Sequence, residues 1–433
     1  MSKTLLLKKA TRIEGNANIQ VQVEDGKIRA ARFLVHEFRG FETFVTGRRI
    51  EYVPQLVSRI CGLCSVSHQV ASLRAIEQAI SLKASPSVEK LRDAIVLGEW
   101  IGSHALSYFF LNMPDVVGGN SGIFDLIEQS PQVGAEAFAL RKAGLRIVEL
   151  LGKRSSHPVS LGLGRFLIPP TPAEIEEVQS IARNVRDRTA RLIAELAEIY
   201  KPLHDIPFPR DIKVNFIAHD SYAAVPEIKV FEPDGRVAYQ FAVQDLEENI
   251  SEMRTDWSLA KIPYLSKMGF PDGIMLVGPL SRSFLGGGFM SDPEVRKFEL
   301  SSLVSESAEF TLDIYDICRL LEIFWASRRI LTLLEGLDST DNVAEPDLGA
   351  VGKGIGILEA PRGLLMHSYV VNQGCVEKMK LLVATQFNNA YINLLITDLA
   401  QKNLSDDRLS FEGERLIGRC VRLLDPCLSC ATH

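Results

Sequence analysis

The sequence predicts an α+β fold: a central bundle of long helices decorated by small antiparallel sheets, read as one domain over residues 1–433. Three observations predict it. Apolar residues recur at helical spacing over long stretches, short alternating runs with Asp-Gly turns interrupt them, and no repeat, low-complexity tract or Pro/Gly/Ser-rich linker divides the chain. With 433 residues and 46% hydrophobic content there is ample material for a large core.

The first element is a hairpin over 17–35, because Ile19, Val21 and Val23 alternate with polar residues up to the Asp25-Gly26 turn dipeptide. From about 65 to 200 the period becomes helical. Helices are expected at roughly 86–112 and 133–153, followed by a long one whose apolar face is Ile175, Val178, Ile181, Val185, Leu192, Leu196 and Ile199. Thr171-Pro172-Ala173-Glu174 opens that helix with a capping box and a proline at the first helical position. Strand-like runs return over 211–243 around Pro226 and Asp234-Gly235. A long helical pattern covers 296–335, strands reappear over 354–385, and helices follow at 387–402 and 407–421.

Charge narrows the function. The net charge is -6 and the basic residues are scattered, which argues against a nucleic-acid partner. The longest charge-free stretch, Leu381 to Thr397, is interrupted by Gln386, Asn388, Asn389 and Asn393, whereas a membrane span needs roughly 18 apolar residues. Before its lysines the N-terminus has too few apolar residues for a signal-peptide core, so the expected location is the cytoplasm, unless a partner carries an export signal.

Seven cysteines occur, at 61, 64, 318, 375, 420, 427 and 430, an odd number that favours thiols as ligands or core residues over disulfides. Four fall in two motifs, Arg59-Ile60-Cys61-Gly62-Leu63-Cys64-Ser65-Val66-Ser67-His68 and Asp425-Pro426-Cys427-Leu428-Ser429-Cys430-Ala431-Thr432-His433. Two intervening residues let both sulfurs of a pair reach one metal, and two pairs offer four thiolates to a soft or borderline metal. A zinc-stapled structural site is the plain alternative. Such sites usually place their pairs close together in a small fold, whereas these pairs lie far apart in a long chain, so a metal used for chemistry is the better reading. Pro426 keeps Asp425 out of a helix. Cys64 precedes the helical pattern that begins at Ser65, where a helix N-terminus favours thiolate, and His68, one turn on, is placed to hydrogen-bond the Cys64 sulfur.

At these motifs the sequence resembles the nickel-iron hydrogenase large subunits, whose signatures are R-x-C-G-x-C-x-x-x-H and D-P-C-x-x-C-x-x-H. Thr11-Arg12-Ile13-Glu14-Gly15, Phe38-Arg39-Gly40-Phe41-Glu42, Ser156-His157-Pro158 and Glu359-Ala360-Pro361-Arg362-Gly363 resemble further family blocks in the expected order. The resemblance implies the nickel-iron hydrogenase large-subunit fold and reversible heterolytic cleavage of hydrogen to protons and electrons. It implies that Cys61 and Cys427 bind nickel terminally, while Cys64 and Cys430 bridge nickel to an iron carrying carbonyl and cyanide ligands. Glu14 then matches a proton-transfer glutamate, Arg362 an arginine overhanging the site where hydrogen is split, and Asp425 its outer-shell neighbour. Thr385, Pro361 and His68 fall among the cofactor contacts, Thr385 through a hydroxyl bonded to a cyanide. Glu42, the backbone carbonyl at about Leu381 and His433 match a magnesium site. Two departures stand out: Asn16 replaces a frequent His, and Ser103 replaces an aspartate of many uptake enzymes. The ending at His433 coincides with the point where a maturation endopeptidase cuts family precursors.

Cys318, Cys375 and Cys420 are isolated and leave no set for an iron-sulfur cluster, which usually needs four thiolates. Electrons are expected to leave through another subunit. The Gly352-Lys353-Gly354-Ile355-Gly356 run lacks dinucleotide-binding spacing and enters a strand-like segment. The compact length, the C-terminal motif and Asp256-Trp257-Ser258-Leu259-Ala260-Lys261-Ile262-Pro263-Tyr264-Leu265 most resemble the soluble, bidirectional, NAD-linked hydrogenases. Implied partners are an iron-sulfur small subunit, touching the first motif and Ser156-His157-Pro158, and diaphorase-type subunits carrying FMN and NAD. Deazaflavin-reducing or heterodisulfide-reductase-linked hydrogenases are the runner-up. A non-catalytic relative of the kind embedded in respiratory complex I is less apt, because those have generally lost the cysteines.

Overall fold

The Asp25-Gly26 dipeptide turns with both residues at positive φ, 50° and 73°, the type I′ geometry that matches strand twist. In this computed structural model it joins β2 (Ala17–Glu24) to β3 (Lys27–Val35), and β1 (Ser2–Leu7) pairs with β2 to complete a three-stranded antiparallel sheet. Residues 2–7, 10–118, 122–200, 206, 214–221, 226–305, 311–337 and 345–433 are described.

Four long helices follow: α1 (Ser65–Ala79), α2 (Pro86–Ala105), α3 (Pro131–Gly152) and α4 (Pro172–Tyr200). Ser85 caps α2 by accepting from the Val88 N–H at 3.3 Å, and the helix runs on through Leu106–Asn112 in wider π turns. Helices α2 and α3 touch backbone to backbone, since a Cβ on Gly144 would lie 2.3 Å from the Gly102 nitrogen. The capping box of α4 forms as expected: Thr171 N donates to Glu174 Oε2 at 2.7 Å, and Glu174 N donates to Thr171 Oγ1 at 3.3 Å. On its apolar face Ile175, Val178, Val185, Leu192 and Leu196 are buried and Ile181 is half-buried, each fully buried side chain worth roughly 1.5–3 kcal/mol. The Ile199 side chain lies outside the described residues.

A four-stranded sheet, β4 (Asn215–Asp220), β5 (Glu227–Phe231), β6 (Val237–Ala242) and β7 (Met275–Leu276), realises the strand-like runs after 211, whose first residues, 211–213, lie outside those described. The helix expected over 296–335 is divided into α5 (Glu299–Ser305) and α6 (Ile314–Leu334). Before α6 the Leu312 N–H bonds to the Ile206 carbonyl at 3.0 Å, a tertiary bond that takes the place of a helical one. Helix α6 packs on α2 and α4, forming the bundle.

An antiparallel sheet of β8 (Gly352–Ala360), β9 (Gly363–Asn372) and β10 (Cys375–Leu382) lies against α1. Gly352, Gly354 and Gly356 all face that helix. A Cβ on any of them would come within about 2 Å of the Ala79, Ala75 or Ala71 carbonyl oxygen. The glycine run therefore seats the helix that begins beside Cys64. Helices α7 (Ala384–Lys402) and α8 (Phe411–Leu423) follow. The last begins later than the expected 407, because Asp406 and Asp407, both at positive φ, turn a two-residue hairpin before Ser410 caps α8. Among the described residues one helix, Pro86–Val116, is long and apolar enough to cross a membrane, but 83% of its apolar window is buried inside the fold.

Candidate metal centre

Cys61 sits in extended conformation after a short 3-10 turn, and a bend at Gly62-Leu63 delivers Cys64 to the start of α1. At the other end of the chain Asp425 takes φ 47°, ending α8, and Cys427 opens the short turn Leu428–Ala431 that carries Cys430. Glu14 forms an isolated bridge with Cys427, so the N-terminal segment holds the C-terminal motif in place. The result gathers four thiols that lie within 4.8 Å of one another, all buried. Sulfurs are 3.3 Å apart between Cys61 and Cys427, 3.1 Å between Cys64 and Cys430, and 2.9 Å between Cys427 and Cys430, far beyond the roughly 2.05 Å of a disulfide.

The donor set fits a soft metal, and its surroundings fit more than a closed zinc site. A cavity of about 20 Å³ opens beside Cys64, Cys427 and Cys430, with Pro361, Ala384 and Leu365 as apolar wall and Arg362 and Thr385 as polar lining. A structural tetrahedral site would be closed by its four protein ligands, whereas this one borders an open space that would admit a small non-protein ligand. Hydrogen bonds from Cys427, Cys430 and Cys64, with the charge of Arg362, hold Cys61 well below the ordinary thiol range. Burial pushes Cys427 and Cys430 up. Cys64 is lowered by Cys427 and Cys430 but carried up to about 11 by Cys61 and burial. A metal bound here would need all four thiols deprotonated.

Each expected outer residue can be placed. Arg362 donates from Nε to the Asp425 carbonyl at 3.0 Å, from Nη2 to Asp425 Oδ1 at 3.1 Å, and from Nη1 to Ser103 Oγ at 3.4 Å. Burial opposes its charge, but Asp425 and the sulfurs hold its pKa above the ordinary value. Thr385 Oγ1 accepts from the Cys427 N–H at 2.8 Å. The half-buried Glu14 takes Ser429 Oγ on Oε1 at 2.5 Å and Ser429 N on Oε2 at 3.0 Å. His68 Nε2 lies 3.4 Å from the sulfur of Cys430, and this corrects the expected partner: the helix projects the ring across to the second motif instead of back to Cys64. Burial lowers the His68 pKa to about 4. Glu42 Oε1 accepts from the Leu381 N–H at 3.0 Å and lies 3.7 Å from His433 Nε2.

Sequence reasoning missed two groups. Arg282 clamps the strand end that leads into Arg362: it donates to the Ala360 and Pro361 carbonyls at 2.9 Å, pairs with Glu322 and Glu359, and stacks 4.2 Å over Trp100. Around Glu42, Lys261 lies 3.5 Å from Glu42 and 3.9 Å from Glu252, with Lys380 3.5 Å from Glu252. Neither group carries a spacing signal, although Lys261 falls inside a segment noted for family resemblance.

Fold and thiol cluster together define a protein built around a buried four-thiol site suited to a soft metal. The nickel-dependent hydrogenase family model matches residues 39–123 and 319–433. An F420-non-reducing hydrogenase subunit from Methanothermobacter marburgensis is 32% identical over 99% of this chain and 94% of its own length. The NAD-reducing hydrogenase HoxS subunit beta of Cupriavidus necator is 27% identical over 100% of this chain and 95% of its own length. A solved NAD+-reducing NiFe-hydrogenase in the H2-reduced state superposes with a TM-score of 0.88 at 26% identity, covering 100% of this chain and 99% of that one. The chain belongs to the nickel-dependent hydrogenases.

Proposed function

We propose that this protein cleaves hydrogen heterolytically and reversibly at a nickel-iron centre, with its electrons leaving through an iron-sulfur small subunit to a flavin-bearing diaphorase and NAD(H). The observation that carries the reading is the buried cluster of Cys61, Cys64, Cys427 and Cys430, drawn from two distant motifs and open on one side to a small cavity. Cys61 and Cys427 would hold nickel, and Cys64 and Cys430 would bridge it to iron bearing carbonyl and cyanide. When bound, the two metals supply the acceptor for the electron pair of hydrogen.

The protein's own residues do the rest. Arg362 stays charged under ordinary conditions, so it orients and polarises the diatomic molecule without exchanging a proton. Asp425 and Ser103 fix its guanidinium. Pro361 and the neighbouring apolar side chains keep the cavity dry. Glu14 takes up the proton at its carboxylate and releases it outward, its two oxygens aimed by Ser429. Thr385 presents its hydroxyl to the cavity, where it can donate to a cyanide nitrogen. Glu42 and His433, 3.7 Å apart, would hold a magnesium ion together with the Leu381 carbonyl.

Support for the NAD branch is the likeness to the Cupriavidus protein and to the NAD+-reducing structure. The second reading, a different electron acceptor, is favoured by the higher identity to the F420-non-reducing relative. Purifying the native complex, identifying its subunits and flavin, and assaying hydrogen-dependent reduction of NAD+ and of a heterodisulfide separates the two. NAD+ reduction with an FMN-bearing partner is expected. A complex that lacks flavin and leaves NAD+ unreduced would refute the NAD branch and leave the hydrogenase reading standing.

A further inference from the structure

Behind the metal centre a file of polar side chains runs inward through otherwise apolar core. Cys64 is the N-cap of α1, His68 and Ser72 stand four residues apart on it, hence on one face, and His367 and Tyr369 stand two apart on β9, hence on one face of that strand. Packing of α1 on the sheet brings the two faces together. His68 Nδ1 is 3.0 Å from His367 Nε2, His367 Nδ1 is 3.0 Å from Tyr369 Oη, and Tyr369 Oη is 2.9 Å from Ser72 Oγ. None of the four is more than 1% exposed.

The chemistry of these groups gives the file a direction. A metal-bound Cys430 sulfur carries no proton, so it can only accept, and His68 must donate from Nε2. A neutral His68 then accepts at Nδ1, which makes His367 donate from Nε2 and accept at its own Nδ1. Only the Tyr369 hydroxyl can supply that last proton, and its oxygen is left to accept from Ser72. No carboxylate takes part in any of these bonds, and full burial disfavours a charged imidazole at either ring. The file ends on Ser72, which is fully buried, so it does not deliver protons to solvent.

We propose that Tyr369 is a positioning residue for the metal centre, fixing the tautomers of His367 and His68 through a one-way chain of hydrogen bonds so that a single N–H is held on the bridging sulfur of Cys430. This rests on the nickel-iron reading of the thiol cluster. A donor on a bridging thiolate withdraws electron density from the metals it joins, so the tyrosine, separated from the sulfur by two imidazoles, helps set their electron richness.

The test is infrared spectroscopy of the purified complex carrying Tyr369→Phe, which removes one hydroxyl and little volume. His367 then loses the donor that fixes its tautomer, and the hydrogen bond on Cys430 weakens. The expected result is a shift of the carbonyl and cyanide bands to lower frequency, with nickel and iron contents and melting temperature at wild-type values. In a Tyr369→Phe, His367→Gln double variant the glutamine amide donates to His68 unaided, and the bands should return. Unmoved bands in the fully loaded Tyr369→Phe enzyme, or bands that stay displaced in the double variant, would overturn the proposal. Should Tyr369→Phe not load its metals, Ser72→Ala decides: a smaller shift in the same direction supports the chain, and unmoved bands overturn it. A wild-type complex with no such bands would refute the metal reading itself, a distinct outcome.

Discussion

Replacing Glu14 by Gln isolates proton transfer from architecture. The carboxylate makes two contacts with Ser429, to Oγ at 2.5 Å and to N at 3.0 Å. A glutamine can keep both: its carbonyl accepts from the Ser429 N–H, and its amide donates to Ser429 Oγ once that hydroxyl rotates from donor to acceptor. The bridge to Cys427 is made by backbone and is untouched. Metal content and subunit assembly should therefore survive. What is lost is the basic oxygen, since an amide has no usable basicity near neutral pH. Exchange between deuterium gas and solvent protons should fall about 100-fold to 10,000-fold, or about 2.7–5.4 kcal/mol of barrier at about 1.36 kcal/mol per decade. A loss of only about threefold, with nickel and iron retained, would refute a proton-transfer role and leave Glu14 as a strut between the chain's two ends.

Three further outcomes follow from the same geometry. Arg362→Lys keeps the charge but loses the fork that engages Asp425 and Ser103, so hydrogen-oxidation turnover should fall about 100-fold with metals retained; unchanged turnover would show that charge alone suffices. Arg282→Met strands the buried carboxylates of Glu322 and Glu359 and should destabilise the fold by about 3–5 kcal/mol in denaturant titrations; wild-type stability would contradict the clamp. His219 is buried with both ring nitrogens unpartnered, and burial lowers its pKa to about 4. Because the unfolded chain binds that proton more readily, the associated stability is full above about pH 6.5 and is lost down to about pH 4, roughly 3 kcal/mol in all. His219→Leu should flatten the pH dependence of the unfolding midpoint across that window, and an unaltered slope would reject this source of acid lability.

The parts of this molecule that were legible in its sequence are those decided by neighbours in the chain. The I′ turn at Asp25-Gly26, the Thr171–Glu174 capping box and the two C-x-x-C pairs each depend on a few consecutive residues. Family resemblance drew Glu42, Leu381 and His433 together, and they do converge. What was illegible depends on which surfaces meet. His68 bonds Cys430 because α1 aims it across the site. The α5–α6 division involves a hydrogen bond from Leu312 to Ile206. Arg282 stands in a five-residue helix with no pattern to distinguish it, yet its guanidinium spans two backbone carbonyls and two carboxylates. The alternate glycines of β8 read as a strand, but that a helix backbone presses on them needed the packed structure.

On the proposed reading, four cysteines from opposite ends of the chain hold nickel and iron beside the adjoining cavity. Metal analysis of the purified native complex, coupled to its infrared spectrum, addresses it directly, with iron-sulfur iron in the partner counted separately. One nickel per chain, one additional low-spin iron, and carbonyl and cyanide bands that disappear together with nickel in a Cys430→Ala variant are the expected result. Stoichiometric zinc, no nickel and no such bands would contradict it.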